Sequence, residues 1–264
     1  MSKHIFILVI PGTGVKKAGF SDGLQKDLNK HTKKTTLKDN FTVLEYRPFH
    51  ESGVDQNQEE LFRRMKSRNR LGGILSFRKT VLHLVGDAVL FDRDIRNPNS
   101  AYQFIHQKLK TLLEEIHQSM KNYDQTELVI LASSIGVYVL SCYIWDADHS
   151  LGIFYQTLAT PENNLRDLSY LATIGCNIPM YVSALKEKNI VPIERRNQKF
   201  TWDNFYDKDD VLGWPLQPLS YGYNELVTDF EINSGAYVGS HFKYWNNNNF
   251  TKPFTEKLVK LFEA

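Results

Sequence analysis

A serine between small residues is the strongest chemical feature of the sequence. An apolar run at 127–133, ELVILAS, leads directly into Ser134, and a second apolar run, IGVYVLSCYIWDA, follows it. Ala132 and Gly136 stand two places before and after this serine. A serine on a tight strand-to-helix turn needs small neighbours there, because the turn presses those positions against nearby backbone. The pattern predicts a nucleophile elbow at Ser134.

A glycine-containing turn near the start of the chain could bind negative charge. Residues 4–10 read HIFILVI, and PGTGVKK follows them. Backbone N–H groups in such a turn can bind a nucleotide phosphate or the oxyanion of a reaction intermediate. The phosphate-loop pattern fails because Phe20 follows Gly19 where lysine is required. The dinucleotide pattern fails because Lys17 stands in place of a small residue, so the sequence favours an oxyanion.

The strand–serine–helix pattern resembles the nucleophile elbow of the α/β-hydrolase family, in its lipase and esterase branch. The usual Gly-His-Ser-x-Gly is written here as ASSIG, with Ala132 for the first glycine and Ser133 for the histidine. The segment YLATIGCNI at 170–178 is similar to the strand that follows the elbow in lipases. The resemblance implies an α/β-hydrolase fold, with a mostly parallel central sheet and helices on both faces.

The resemblance also implies an acidic residue that follows the serine and precedes the catalytic histidine. The segment after a predicted strand at 199–206 offers Asp207, Asp209 and Asp210. The family acid usually precedes two apolar residues and then a proline. The stretch VLGWP at 211–215 approximates this pattern and favours Asp210. Asp207 is the close alternative, and carboxylates of this kind are also common in turns with no catalytic role.

The histidine of such a triad is expected in a loop between the last strand and the last helix. His241, in GAYVGSHFKYW, occupies that position, and the other histidines lie elsewhere in the order. The resemblance implies an oxyanion hole with one N–H from Ile135, directly after the serine. Thr13 or Gly14 of the PGTG turn would supply the second N–H.

These residues imply a serine hydrolase that cleaves a carboxylic ester through an acyl-enzyme intermediate. Ser134 would attack the carbonyl carbon, His241 would act as general base, and Asp210 would orient the imidazole. The expected substrate is a small molecule or lipid with an acyl group, with no cofactor and no metal, since no His or Cys cluster has metal-ligand spacing. The alternative is a catalytically silent α/β-hydrolase fold that serves as a binding or scaffold protein.

The segments that must position these residues alternate between strand and helix patterns. Strands are predicted at 4–10, 41–49, 127–133, 168–175, 199–206 and 225–232. Helices are predicted at 98–120, where Pro98 would open an amphipathic helix, at 134–147 and at 252–262. This alternation indicates βαβ units and therefore a mostly parallel sheet covered by helices on both faces.

One segment, residues 51–97, is longer than a single crossover helix requires. It contains many apolar residues and a basic run formed by Arg63, Arg64, Lys66, Arg68 and Arg70. We predict a helical insertion within a single domain of residues 1–264, forming a cap beside Ser134 with its arginines mainly outward. The alternatives are a structural extension far from the site and, for the basic run, a solvated helix face or a surface for an anionic or lipid partner.

Composition excludes several classes of protein. The chain has 264 residues, 42% hydrophobic and 23% charged, with a formal net charge of +2, which argues against general nucleic-acid or membrane-surface binding. No run approaches the roughly 18 apolar residues of a membrane-spanning helix, and the N-terminus lacks a signal-peptide pattern. Cys142 and Cys176 lie in apolar segments and predict buried thiols. We expect a soluble cytoplasmic protein, and the sequence leaves its oligomeric state open.

Overall fold

The structure is a computed structural model that describes residues 3–13, 17–69, 75–91, 95–235, 241 and 243–264. The strands within these residues are β1 (Lys3–Ile10), β2 (Phe41–Glu45), β3 (Gln125–Ser133), β4 (Leu168–Ile174), β5 (Thr201–Tyr206) and β6 (Val227–Glu231). The helices are α1 (Asp22–Thr32), α2 (Pro48–Glu51), α3 (Val54–Asn69), α4 (Leu75–Leu90), α5 (Ala101–Met120), α6 (Ile135–His149), α7 (Ile178–Val182), α8 (Tyr221–Leu226) and α9 (Asn248–Glu263).

The six strands form one sheet in the order β2-β1-β3-β4-β5-β6. All five described pairings are parallel. In a parallel sheet the carboxyl ends of the strands meet at one edge, which is where ligands bind in open α/β sheets. The predicted mostly parallel central sheet is confirmed.

Helices cover both faces of this sheet. Alternate residues of β1 enter different cores, with Phe6 and Leu8 in one and Ile5 and Ile7 in the other. The first core includes apolar residues of α5 and α6, and the second includes residues of α1 and α9. This two-sided burial explains the continuous apolar run at 4–10, since neither face of β1 meets water. Each fully buried aliphatic side chain contributes about 1.5–3 kcal/mol.

Two predicted strands are shorter than expected because a helix adjoins each of them. The strand predicted at 41–49 ends at Glu45, since Pro48 opens α2 in the first-turn position that proline favours. The strand predicted at 225–232 begins at Val227, since the preceding residues form α8. The apolar pattern indicates that both segments contain a strand, but it does not show at which residue the strand meets the helix.

Two helix starts also differ from the predictions, and side-chain caps explain both. Helix α5 begins at Ala101 and not at Pro98, because the Ser100 side chain accepts a hydrogen bond from the Gln103 N–H at 3.2 Å. Helix α9 begins earlier than residue 252, because the Asn247 side chain accepts from the Asn249 N–H at 2.8 Å. Short polar side chains therefore set these boundaries more strongly than the apolar pattern does.

Helices α3 and α4 occupy most of the segment predicted as a helical insertion. Arg63, Arg64 and Lys66 are exposed on α3. The side chains of Arg68 and Arg70 lie outside what the structure describes, as does the predicted break at residues 72–73.

The predictions from composition concern the thiols and membrane spans. Cys142 and Cys176 are both buried and free of disulfides, as predicted. Across the described ranges, no helix is both long enough and apolar enough to cross a bilayer.

His117 links α5 to the residue before β4 and makes stability depend on pH. Its Nε2 is 2.8 Å from Asp167 Oδ2, and its Nδ1 is 2.7 Å from the Leu113 carbonyl oxygen. Burial lowers the pKa of His117, but the hydrogen bond and negative charge of Asp167 outweigh it, and the pKa is raised. This contribution to stability is therefore present below the unfolded pKa of about 6.5 and is lost as pH rises through the folded value.

We expect His117→Gln to flatten the pH dependence of stability between about pH 6 and 8. Over this range the free energy of unfolding should fall more in the wild-type protein than in the variant. The difference should be less than about 1 kcal/mol, because Asp167 is partly exposed and solvent screens the pair. Urea unfolding at several pH values measures the difference. His149→Gln, on α6, is the matched control, and an equal effect of both variants would contradict the assignment to His117.

Candidate active site

Ser134 occupies a strained turn between β3 and α6. Its backbone has φ 51° and ψ −128°, a conformation that residues other than glycine rarely adopt. The Ser134 N–H donates to the Ile174 carbonyl oxygen at the end of β4, at 3.1 Å. Such strain costs about 1–3 kcal/mol and persists where surrounding structure holds it in place. The predicted elbow position therefore has the unusual backbone that a nucleophile elbow requires.

Close packing explains why the positions around this turn are small. A Cβ atom on Gly136 would lie 2.5 Å from the Pro11 carbonyl oxygen and 3.0 Å from that of Ile10. A Cβ atom on Gly12 would lie 2.5 Å from Ser134 Cβ. Real Cβ atoms do not approach other atoms so closely, so a larger residue at either position would push the loop after β1 away from the serine.

The three residues predicted as a triad lie together at the carboxyl edge of the sheet. Ser134 Oγ is 2.9 Å from His241 Nε2, and His241 Nδ1 is 2.8 Å from Asp210 Oδ2. All three are buried, with 2%, 5% and 4% of their surfaces exposed. If the neutral imidazole donates through Nδ1 to the carboxylate, Nε2 is left to accept from the serine hydroxyl.

Asp207, the alternative acid, binds other groups. Its Oδ2 accepts from the N–H of Ser234 at 2.5 Å and from the Ser234 hydroxyl at 2.8 Å. Its Oδ1 accepts from the Asp209 N–H at 2.9 Å. These bonds join the loop after β5 to the loop after β6, and it is Asp210 that contacts His241.

The surroundings of Asp210 favour its ionised form. Burial raises the pKa of this carboxyl, but the hydrogen bond and charge of His241, the Leu212 N–H and the Tyr244 hydroxyl outweigh burial and lower it. The Leu212 N–H is 2.9 Å from Oδ1, and the Tyr244 hydroxyl is 2.9 Å from Oδ2. Asp210 is therefore a carboxylate at neutral pH.

Tyr244 is a site residue that the sequence did not indicate. Its hydroxyl donates to Asp210 Oδ2 and accepts from the Asp207 N–H, at 2.9 Å in each case. The sequence signal was weak, since Tyr244 stands three residues after His241 in an aromatic segment. A hydrogen bond between these side chains requires the loops after β5 and β6 to meet.

The residues predicted to supply an oxyanion hole lie in two neighbouring turns. The pairing of Ile10 with Ala132 puts the loop after β1 next to the elbow after β3. Thr13 is buried in that loop, and Ile135 is the first residue of α6, where N–H groups have no partner within the helix. Gly14, the alternative donor, lies outside the described residues.

Helix α4 reaches the same loop through a buried carboxylate. Asp87 is fully buried and accepts hydrogen bonds from the Thr13 hydroxyl and from Gln58 Nε2, the latter at 2.8 Å. Gln58 belongs to α3, so these bonds join both helices to the loop that packs against Ser134.

An apolar groove of about 490 Å³ lies between α4 and α7. Its lining consists of Leu84, Val85, Ala88, Val89, Asn177, Met180 and Tyr181. Asn177 in this lining follows Gly175 by two residues. A Cβ atom on Gly175 would lie 3.2 Å from the His241 ring. The volume and lining suit a small apolar group.

No group of three or more His, Cys, Asp or Glu side chains in the described part of the chain could hold a metal ion.

Solved structures of similar arrangement include proteins described as hydrolases. One, a protein of the alpha/beta superfamily from Xanthomonas campestris pv. campestris, is 9% identical, with 95% of this chain and 98% of that chain covered and a TM-score of 0.41. Est1E from Butyrivibrio proteoclasticus is 8% identical, with 100% and 90% covered and a TM-score of 0.46. One of the metagenome-derived lipolytic enzymes LipS and LipT is 10% identical, with 100% and 95% covered and a TM-score of 0.45.

No protein-family model and no curated protein matches the sequence. Similarity at this level of identity and superposition does not specify an activity, so the function must be inferred from the geometry of the site.

Proposed function

We propose that this protein is a serine hydrolase that cleaves carboxylic esters. The observation that supports the proposal is one continuous set of contacts, from Ser134 Oγ through His241 to Asp210, at 2.9 and 2.8 Å. The serine in this set has the positive φ of a nucleophile elbow. A buried Ser–His–Asp arrangement with these distances can transfer the serine proton to imidazole as the hydroxyl attacks a carbonyl carbon.

The proposed reaction has two halves that use the same residues. Ser134 Oγ forms a bond to the carbonyl carbon while His241 Nε2 takes the hydroxyl proton, and this proton then passes to the departing alcohol. Water next attacks the acyl carbon and gives a proton to His241. His241 passes this proton to Ser134 Oγ as the bond between that oxygen and the acyl carbon breaks and the carboxylic acid leaves. Asp210 holds the imidazole tautomer and stabilises the imidazolium formed in each half.

The negative charge on the carbonyl oxygen would be stabilised by the N–H of Ile135 and that of Thr13 or Gly14. The close packing of Gly12 against Ser134 supports this assignment, because it brings the loop within reach of the reacting carbonyl. The first turn of α6 adds the positive end of its helix dipole. Loss of one such donor typically lowers the rate about 10²–10³-fold.

The insertion is proposed to act as a cap over this site. The bond between Asp87 and the Thr13 hydroxyl supports the proposal, because it fixes α4 beside the loop next to the nucleophile. The groove between α4 and α7 would then receive an apolar acyl group of a small-molecule or lipid ester.

We expect Ser134→Ala to lower hydrolysis of a short p-nitrophenyl ester by about a thousandfold or more, since no other group would form the acyl-enzyme. The variant should keep nearly the thermal stability of the wild type, because only the hydroxyl oxygen is removed and alanine keeps the Cβ atom that the turn already accommodates. A fluorophosphonate probe should label Ser134 in the wild-type protein, as mapped by mass spectrometry.

The same experiment separates the proposed enzyme from a silent binding protein. An unlabelled, inactive wild-type protein would favour the silent fold. Full activity in the purified, folded Ser134→Ala variant would exclude Ser134 as the nucleophile.

We expect Asp210→Asn to lower kcat/KM by several orders of magnitude, about 10⁴-fold, because the imidazole would lose its orienting carboxylate. Asp207→Asn is the matched control in the same loop. It should have a much smaller effect on rate, although it weakens the bonds to Ser234 and reduces stability. Parallel unfolding curves correct for this loss, and a larger kinetic effect of Asp207→Asn would reverse the assignment of the acid.

We expect Val85→Trp to change acyl preference, because the indole would fill the groove between α4 and α7. Hydrolysis of an octanoate ester should fall at least about tenfold relative to that of an acetate ester. Val81 is one turn earlier on α4 and 40% exposed, compared with 54% for Val85, and it is not among the residues that line the groove. Val81→Trp should leave the ratio unchanged, and an unchanged ratio in Val85→Trp as well would argue against the cap.

A further inference from the structure

Two donors converge on a single oxygen of Asp210. Oδ2 accepts from His241 Nδ1 at 2.8 Å and from the Tyr244 hydroxyl at 2.9 Å, while Oδ1 accepts from the Leu212 N–H at 2.9 Å. A buried carboxylate is expensive unless donors satisfy its oxygens. Tyr244 therefore provides one of the bonds that keep this carboxylate in place.

The direction of the Tyr244 bond is set by a second contact. The same hydroxyl oxygen accepts the Asp207 N–H at 2.9 Å. A backbone N–H can only donate, so the phenol acts as acceptor there and its hydrogen is directed at Asp210. Tyr244 is 1% exposed and begins a short helical turn before α9, so its ring has little freedom to move away.

The phenol keeps its proton throughout the range in which an esterase would work. Burial, and then the negative charge of Asp210, raise the pKa of Tyr244 well above that of a free tyrosine. Its hydrogen bond also helps to lower the pKa of Asp210, against the effect of burial.

We propose that Tyr244 is a positioning residue, which holds the Asp210 carboxylate in line with His241. The inference rests on the proposed function, because it assigns Tyr244 to the same triad. Tyr244 acts through Asp210, so its loss should affect the chemical steps and leave substrate binding unchanged.

Removal of the hydroxyl in Tyr244→Phe should have two kinetic effects. The value of kcat should fall about tenfold with little change in KM, because a hydrogen bond to a charged group is lost. The acidic limb of the pH profile of kcat/KM, which reports the general base His241 in this reaction, should move to higher pH by up to about one unit, because Asp210 with one donor fewer is a stronger acceptor for the imidazolium. A role confined to stability would lower the yield of folded protein without moving this limb.

Tyr102→Phe is a closely matched control. The Tyr102 hydroxyl donates to Asp146 Oδ2 at 2.8 Å, and both residues are fully buried in the core beside α6. The two variants delete the same kind of buried tyrosine–carboxylate bond, but Tyr102→Phe should leave the pH profile in place. Unfolding curves for both variants show how much stability each bond contributes.

The outcomes separate this inference from the proposed function. If the wild-type protein reacts with the fluorophosphonate probe at Ser134 but Tyr244→Phe has an unshifted acidic limb and an unchanged kcat, the inference is wrong and the hydrolase assignment stands. If the wild-type protein neither reacts with the probe nor hydrolyses esters, the proposed function fails.

A second variant covers the case in which Tyr244→Phe does not fold. A ring-fluorinated tyrosine at position 244 keeps both hydrogen bonds and has a more acidic, stronger-donating hydroxyl. It should move the acidic limb to lower pH, opposite to the shift expected for phenylalanine. An unchanged limb with this residue would overturn the inference.

Discussion

The contact between the Ser134 turn and the loop after β1 is the constraint on which the rest of the site depends. Gly12 and Gly136 allow backbone and side-chain atoms to meet at distances that a Cβ atom would prevent. This contact follows from the parallel pairing of β1 with β3, which ends both strands at the same level. The strained backbone of Ser134 is therefore stabilised by its neighbours, because β4 and the loop after β1 contact the turn from two sides.

Buried carboxylates connect this turn to more distant elements. Asp210 joins the loop after β5 to His241, Asp207 joins it to Ser234 after β6, and Asp87 joins α4 to the loop after β1. In a low-dielectric interior a carboxylate with satisfied oxygens is a strong local constraint, whereas one that loses a donor is costly. Each of these buried acids therefore holds one loop in a defined position relative to another element of the site.

A buried carboxylate also connects α3 and α4 to the sheet edge. A helix pair attached through exposed apolar contacts alone could settle in several positions. The bonds from Thr13 and Gln58 to Asp87 give α3 and α4 one defined position relative to the sheet edge. The groove between α4 and α7 is lined by α4 residues next to Asp87, including Ala88.

Features that depend on neighbours along the chain can be predicted from the order of residues. The apolar run of β3, Ser134 and Gly136 together indicate a strand, a turn and a helix, because small residues and hydrophobic runs constrain backbone locally. The parallel sheet followed from the alternation of such segments. Helix caps were harder to predict. Ser100 caps α5 and sets its start, although the sequence suggested Pro98 as the first residue.

Contacts between side chains that are distant in sequence depend on how the sheet, loops and helices pack. Asp207 and Asp210 stand three residues apart in one loop, and the sequence favoured Asp210 as the partner of His241 without excluding Asp207. In the structure, Ser234 in the loop after β6 binds Asp207, whereas Asp210 contacts the His241 imidazole. Tyr244 and Asp87 had no comparable signal, since their hydrogen bonds join segments that are brought together only when the sheet and its helices have packed.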